Sequence, residues 1–518
     1  MVPEGIGTWI RRRAVRSRGF PAIVFRDDEI TYEQLAERID ALAAALRERG
    51  VEKGDRVAYL GNNHPSLIES MFASTMLGAI FVPLNTRLSV PELEFQLADS
   101  GAGVLISAGS LERQAAGATA GLPVRRIVVN EAAAPPAQPA AVRADDYEAI
   151  IATPGRLGDT PLVTLDDPAI IIYTSGTTGR PKGAVLTHGN LTWNSINTIV
   201  DYDVTSTTRQ LIISPLFHVA SLGMGCLPAF LKGAAVLLQE RFVPGEALAA
   251  IERLKATAIS GVPTTYQLMM EDPSWVTADI SSLQTMTCGG SAVPEKVIAA
   301  YAERGLAFSG GYGMTETAPG IVLMPPWHAA DHVGASGLAH FFTRFRIRDT
   351  ETGELVGPGK RGEIEASGPN VLPGYWGRPD ATAESFTSDG WFKTGDIGLA
   401  DEDGFLTIAD RVKDMIISGG ENIYSAEVEQ AIASIDGVTG VAVIGIPDQR
   451  WGEVPHAVVT LAPGARLDAE TMVALLSGRL ARYKVPKTLE VVDEFPRTAS
   501  GKVQKAVLRA LHRPPRPE

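Results

Sequence analysis

Tyr173-Thr174-Ser175-Gly176-Thr177-Thr178-Gly179-Arg180-Pro181-Lys182-Gly183 decides how the rest of this chain is read. It follows Ala169-Ile170-Ile171-Ile172, a short apolar run with the character of a buried strand. Gly176 and Gly179 let the backbone fold tightly, and hydroxyl groups of Thr174, Ser175, Thr177 and Thr178 line the turn. Backbone N–H groups and hydroxyls in such a loop can wrap a polyphosphate, and Lys182 adds a point charge behind it. The pattern is not G-x-x-x-x-G-K-[ST], because Gly183 follows Lys182 and the glycines are spaced differently. An ordinary P-loop ATPase is therefore disfavoured at the first motif.

Working outward, helices and strands alternate. Residues 31–50 form a helix opened by the capping pair Thr31 and Gln34, striped by Leu35, Ile39, Leu42 and Leu46, and stopped by Gly50. A strand at 55–60, a helix at 66–77 and a strand at 79–83 follow, with further strands at 102–107, 210–214 and 235–238. This alternation predicts an α/β fold with a largely parallel sheet covered on both faces. Residues 132–139, rich in Ala and Pro, read as a mobile surface loop. After Asp410, the order helix 426–434, strand 438–446, strand 456–461 and helix 469–480 predicts a small α+β domain. The expected division is a large N-terminal multi-subdomain α/β unit, 1–410, and a small mobile C-terminal unit, 411–518.

Bulk properties narrow the function. With 518 residues the chain needs more than one domain. A formal net charge of −13 argues against a nucleic-acid partner. Arg11, Arg12, Arg13, Arg16 and Arg18 are broken up by apolar residues and read as a solvated helix face. Cys226 and Cys288 are the two cysteines, far apart, which excludes a disulfide scaffold and suits a reducing cytoplasm. No signal peptide is expected, and no apolar run approaches the roughly 18–20 residues needed to span a bilayer.

From the first helix to Lys502, these motifs in this order resemble the adenylate-forming (AMP-binding) superfamily, which includes acyl-CoA synthetases, aryl- and fatty-acid-CoA ligases, peptide-synthetase adenylation domains and luciferases. The resemblance implies an acid–thiol ligase that converts a carboxylic acid to acyl-AMP with release of pyrophosphate, then transfers the acyl group to coenzyme A. The alternative it leaves open is an acyl-adenylate former that hands its product to a carrier protein or a second enzyme. ATP, Mg²⁺ and coenzyme A are the implied small molecules, with the enzyme a monomer or homodimer.

Residue by residue, the resemblance assigns the opening loop (Thr174 to Gly179, and Lys182) to phosphate binding. In Gly311-Tyr312-Gly313-Met314-Thr315-Glu316, Tyr312 would stack on adenine, Thr315 would touch the α-phosphate and Glu316 would hold Mg²⁺. Gly289-Gly290-Ser291 would cup the adenine. Asp396, in Trp391-Phe392-Lys393-Thr394-Gly395-Asp396, would accept the ribose hydroxyls, with Arg411 nearby and Lys413 as the hinge pivot. Lys502, in Pro496-Arg497-Thr498-Ala499-Ser500-Gly501-Lys502, would bridge carboxylate and α-phosphate, where a compact ammonium offsets the repulsion of two anions.

For the second half-reaction, Ser418-Gly419-Gly420 would line the channel for the thiol arm, with Trp451 beside it. Ser425 stands where the family usually has proline. His218 would sit at the acyl-pocket entrance with Val219, Ser221, Met224, Gly313, Pro319 and Gly320 along the wall. A histidine there, instead of the aspartate that pairs an ammonium, argues against an α-amino acid. These segments carry small apolar residues and no charge, which suits a bulky apolar acid, whether fatty, aryl or polycyclic. The overall pattern is most similar to bacterial medium/long-chain acyl-CoA ligases and cinnamate-type CoA ligases.

Overall fold

Apolar strands flanked by amphipathic helices bury both faces of a sheet, and the chain builds two such sheets in its first compact unit, residues 1–345 and 366–392. The computed structural model describes residues 5–512 apart from 27, 131–144, 154–156, 175–180, 290–292, 294, 330, 333, 412–413, 419–420, 424, 449–450, 478, 481 and 498–501. The loop anticipated at 132–139 lies outside the described residues.

The first sheet has eight strands in the order Gly374–Tyr375, Lys182–Thr187, Pro168–Thr174, Ile80–Leu84, Arg56–Leu60, Val104–Ala108, Arg125–Val129 and Asp145–Asp146. Its inner pairs are parallel, and the Pro168–Thr174 and Lys182–Thr187 pair is antiparallel. The second sheet has nine strands and is parallel from Pro21–Phe25 through Ala235–Leu238, Arg209–Ile212, Ala258–Gly261 and Thr285–Gly289 to Phe308–Gly313. Antiparallel strands finish both of its edges.

Helix α1, Tyr32–Glu48, begins as the capping pair requires: Thr31 accepts from the Gln34 N–H, and Gln34 returns the bond to the Thr31 N–H. Its stripe Leu35, Ile39, Leu42 and Leu46 is fully buried, and Gly50 takes a left-handed φ of 85°. Helix α2, His188–Asp201, is different, for its inner face carries amides. Asn190, Asn194 and Asn197 are buried, and with Asp201 they recur at spacings of four, three and four along one helix face.

The second compact unit comprises residues 346–365 and 393–518. It holds a four-stranded sheet, ordered Arg344–Arg348, Gly362–Ser367, Phe392–Ala400 and Leu406–Arg411, and a five-stranded sheet. The latter is dominated by the antiparallel pair Val438–Asp448 and Gly452–Leu461. Helix α3, Ser425–Ala433, buries Val428 and Ile432 in the core with Ile423, Val443 and Val459. The helix expected at 469–480 ends at Leu476, because Ser477 turns extended ahead of Gly478. Helix α4, Lys505–Leu511, closes the described chain.

Candidate active site

The opening motif spans an antiparallel hairpin. Thr174 pairs with Lys182, Tyr173 with Gly183 and Ile172 with Ala184, so the two strands flank residues 175–181 as paired stems. Ser175, Gly176, Thr177, Thr178 and Gly179 lie outside the described residues. At the stem, the Thr174 hydroxyl donates to the Lys182 carbonyl at 3.4 Å.

Across the sheet edge, strand Gly374–Tyr375 pairs with the second stem, Tyr375 opposite Ala184. The Lys182 ammonium sits 5.3 Å from the Tyr375 ring centroid. The Tyr375 hydroxyl donates to Glu316 Oε1 at 3.0 Å. Burial, then the adjacent Glu316 carboxylate, pushes the Tyr375 phenol well up, so it stays a neutral donor. Lys182, Tyr375 and Glu316 thus form one charged row within the first unit. Tyr375 was not visible in the sequence reading; a Gly-Tyr-Trp run beyond the recognised motifs gives no catalytic signal by itself.

Glu316 is buried in a short turn, and its carbonyl accepts from the Leu372 N–H at 2.8 Å. Gly289 and Gly311, one from each candidate adenine motif, are register partners on parallel strands. Gly290 and Ser291 lie outside the described residues. Tyr312 pairs with Val322, and Gly313 with Gly320. A Cβ on Gly313 would lie 1.7 Å from the Pro319 carbonyl oxygen, so this position admits only glycine. Met314 N–H donates to that same oxygen at 3.0 Å. The turn carrying Thr315 and Glu316 is thereby locked to the Pro319–Gly320 wall.

His218 is half-buried, with its ring 4.7 Å from Phe217 and its carbonyl accepting from Leu222 N–H at 3.3 Å. Asn63 shapes this approach: its amide donates to the Ser214 and Gln239 carbonyls and its oxygen accepts from Leu216 N–H. Beyond His218 the chain makes a π-helical turn, Ser221–Cys226, which widens the backbone where the pocket residues Ser221 and Met224 sit. A Cβ on Gly223 would lie 2.5 Å from the Ala318 carbonyl, so this turn and the Pro319 wall are in close contact. Asn194 joins them. Its Nδ2 donates to the Gly223 carbonyl at 2.9 Å, and its Oδ1 accepts from Gly320 N–H at 3.1 Å. Asn370 holds the wall from the other side, donating to the Thr317 and Gly320 carbonyls. The sequence reading missed both asparagines. The signal for Asn194 was present in the polar spacing of α2, which an apolar-stripe search passes over.

Neither cysteine is poised as a nucleophile. Burial pushes the Cys288 thiol up to about 12 and the Cys226 thiol higher still.

In the second unit Asp396 is buried and is the cross-strand partner of Arg411. The Asp396 N–H donates to Thr394 Oγ1, which in turn donates to the Ile364 carbonyl. The two ribose candidates therefore meet on one ladder. Nearby, Glu363 accepts from Gly395 N–H, and burial raises its carboxyl. Lys413, Gly419 and Gly420 lie outside the described residues. Ser418 is described and pairs with Gly452, the chain neighbour of the half-exposed Trp451. Ser425 is buried and accepts from Lys505 Nζ at 2.6 Å, an ammonium that also pairs with Glu429. Proline at 425 could not accept this bond. Lys502 is exposed at the end of a loop whose base is the Arg497–Val503 bridge and the Gln504 N–H to Pro496 carbonyl bond.

Two family descriptions match the chain: the AMP-binding enzyme over residues 10–376 and the AMP-binding enzyme C-terminal domain over 427–502. Among curated relatives, a feruloyl-CoA synthase of Amycolatopsis sp is 49% identical over 506 residues, 98% of this chain and 99% of that one. An indoleacetate–CoA ligase of Aromatoleum aromaticum is 41% identical over 510 residues, 98% of each chain. Among solved structures, the Bacillus subtilis o-succinylbenzoate CoA synthetase in complex with its acyl-adenylate intermediate superposes with a TM-score of 0.86 at 32% identity, covering 97% of this chain and 98% of that one. Full-length similarity to CoA ligases, on the fold and motif order described above, leads to one conclusion: the chain belongs to the AMP-binding enzyme family and is an acyl-CoA synthetase of the adenylate-forming superfamily.

Proposed function

We propose that this ligase activates an aromatic acid with a polar ring substituent, of the hydroxycinnamate class, as acyl-AMP and passes the acyl group to coenzyme A. The observation that carries the reading is the 49% identity, over nearly the whole chain, to a protein named feruloyl-CoA synthase. A second aromatic-acid ligase, named for indoleacetate, supports it at 41% identity. Met224 also lines a small cleft, together with Thr198, Tyr202, Gln210, Ser260 and Thr287 among others. Ser260 Oγ accepts from Thr287 Oγ1 at 2.8 Å and from Gln210 Nε2 at 3.4 Å. In this reading the cleft receives the ring substituent, where hydroxyl and amide groups suit a phenol better than an alkyl terminus.

A carboxylate oxygen is a poor leaving group toward a thiol, and transfer of AMP makes it a good one. In this reading the hairpin turn and Lys182 hold the phosphates, Asp396 and Arg411 the ribose, and Tyr312 the adenine. Glu316 is a buried hard-oxygen donor whose Oε1 accepts from Tyr375, and it would hold Mg²⁺; one solved relative carries ATP and a magnesium ion. When bound, that ion would neutralise phosphate charge. Lys502 would serve adenylation and the Ser418–Gly419–Gly420 loop thiolation, with residues 1–410 and 411–518 hinged at Lys413. His218 would gate the acyl pocket, and no general base is needed.

The test is pyrophosphate release and thioester yield with ferulate, 4-coumarate, cinnamate, indoleacetate and a fatty acid of matched size, with and without coenzyme A. Ferulate or 4-coumarate should exceed cinnamate in kcat/KM by about tenfold or more, since a site built for a hydroxyl leaves polar groups unpaired without one. A fatty acid as the best substrate would overturn the reading.

Tyr375→Phe probes the metal row separately. It removes one hydrogen bond to a charged partner, a change of about 1.5–3 kcal/mol. The Mg²⁺ concentration for half-maximal pyrophosphate release should shift by about tenfold with the fold retained. An unchanged Mg²⁺ titration would reduce Tyr375 to a packing role.

A further inference from the structure

Three ligand-type side chains meet in the second unit, none of them among the residues assigned above to ATP, acid or thiol. His456 lies on strand Gly452–Leu461, and Glu490 on strand Thr488–Val491. The strands are parallel, with His456 opposite Thr488 and Val458 opposite Glu490. That register puts Thr488 and Glu490 on one face. His512 follows the last turn of α4. One ligand atom from each of His456, Glu490 and His512 lies within 4.8 Å of the others.

The hydrogen bonds around the cluster leave it one piece short. His512 Nδ1 is 2.8 Å from the Leu508 carbonyl, which only accepts, so the proton is on Nδ1. Its Nε2 lies 2.9 Å from the Glu490 carboxylate Oε2, and with Nδ1 alone protonated the two would face each other as acceptors. Two acceptors at that distance need a cation between them or a proton on the ring. His456 faces the same oxygen, Nε2 to Oε2 4.0 Å, with its ring centroid 4.6 Å from that of His512. Its Nδ1 is engaged by Thr488 Oγ1 at 2.7 Å, which fixes the ring. His456 is 6% exposed, and its buried Nε2 has no hydrogen-bond partner.

We propose that His456, Glu490 and His512 bind a divalent transition-metal ion of the zinc type. Two imidazoles and one carboxylate are a zinc ligand set, with a fourth position left to water. Zinc bonds of about 2.0–2.2 Å put tetrahedral ligands about 3.3–3.6 Å apart. The observed 2.9 and 4.0 Å straddle that spacing, so small side-chain shifts complete the site. Thr488 supplies the second-sphere bond that zinc-bound histidines ordinarily have. The ion would tie the end of α4 to the central strands of the small domain. Lys502 lies just ahead of α4, so the site would steady the root of that segment. The site is independent of the substrate reading above.

The experiment uses tag-free, full-length protein stripped with a chelator and titrated with Zn²⁺ against a chromogenic competitor. One Zn²⁺ should bind per chain, and millimolar Mg²⁺ should not displace it, because Mg²⁺ avoids imidazole. Glu490→Gln keeps the side-chain shape and His512→Ala lies at an exposed helix end, so both variants should fold. Each should weaken Zn²⁺ binding by about tenfold or more. Zn²⁺ should also raise the unfolding temperature of the wild type and not of Glu490→Gln. Equal Zn²⁺ affinity in wild type and both variants would overturn the proposal. So would absence of binding together with an imidazolium signal from His512 by NMR.

Discussion

Lys502→Ala should abolish acyl-adenylate formation and leave thiolation of supplied acyl-adenylate nearly intact. The argument is electrostatic. Adenylation brings a carboxylate against the α-phosphate, and two anions repel strongly in a site that excludes water. A compact ammonium between them offsets that repulsion in the transition state more than in the separate reactants. Removing a positioned group of this kind costs about 10²–10³-fold in rate. Thiolation has no such encounter, because the leaving group is already AMP. The substitution should spare the fold, since Lys502 is exposed and its loop is based on backbone bonds between residues 496–497 and 503–504. Lys502→Arg should not rescue, because a planar guanidinium is larger and more diffuse. Single-turnover assays with the acid and with synthetic acyl-adenylate check this. Equal loss in both half-reactions would refute the division of labour.

What the sequence made legible follows from how local each signal is. The α1 cap and stripe and the alternating strands are contiguous signals, and the structure places them as expected. The adjacency of Gly289 to Gly311, and of Asp396 to Arg411, follows from strand order and register. Tyr375 lies 193 positions beyond Lys182, and only the edge pairing of Tyr375 with Ala184 brings it to the hairpin stem. The polar face of α2 runs against the usual rule, since its buried side carries amides that bond to backbone instead of packing on it. Periodicity in hydropathy sees the first kind of element and overlooks the second.

That polar face leads to the second large effect. Asn194→Ala should destabilise the protein by about 2–5 kcal/mol, because it leaves the Gly223 carbonyl and the Gly320 N–H without their side-chain partner in a closed interior. Each unmade bond to a buried backbone group costs about 1–3 kcal/mol. Asn194→Asp separates bonding from bulk. Its carboxylate can still accept from Gly320 N–H, yet it sets an acceptor against the Gly223 carbonyl and buries a charge with no cationic partner described. It should therefore be at least as damaging as alanine, although its shape is nearly unchanged. The function consequence is specific, since Gly223 belongs to the π-helical turn and Gly320 to the opposite wall. Loosening their tie should raise KM for the acid by about tenfold while the KM for ATP stays near its wild-type value. Urea unfolding together with paired KM measurements checks both. Loss of stability with an unaltered acid KM would mean that Asn194 supports the fold without shaping the pocket.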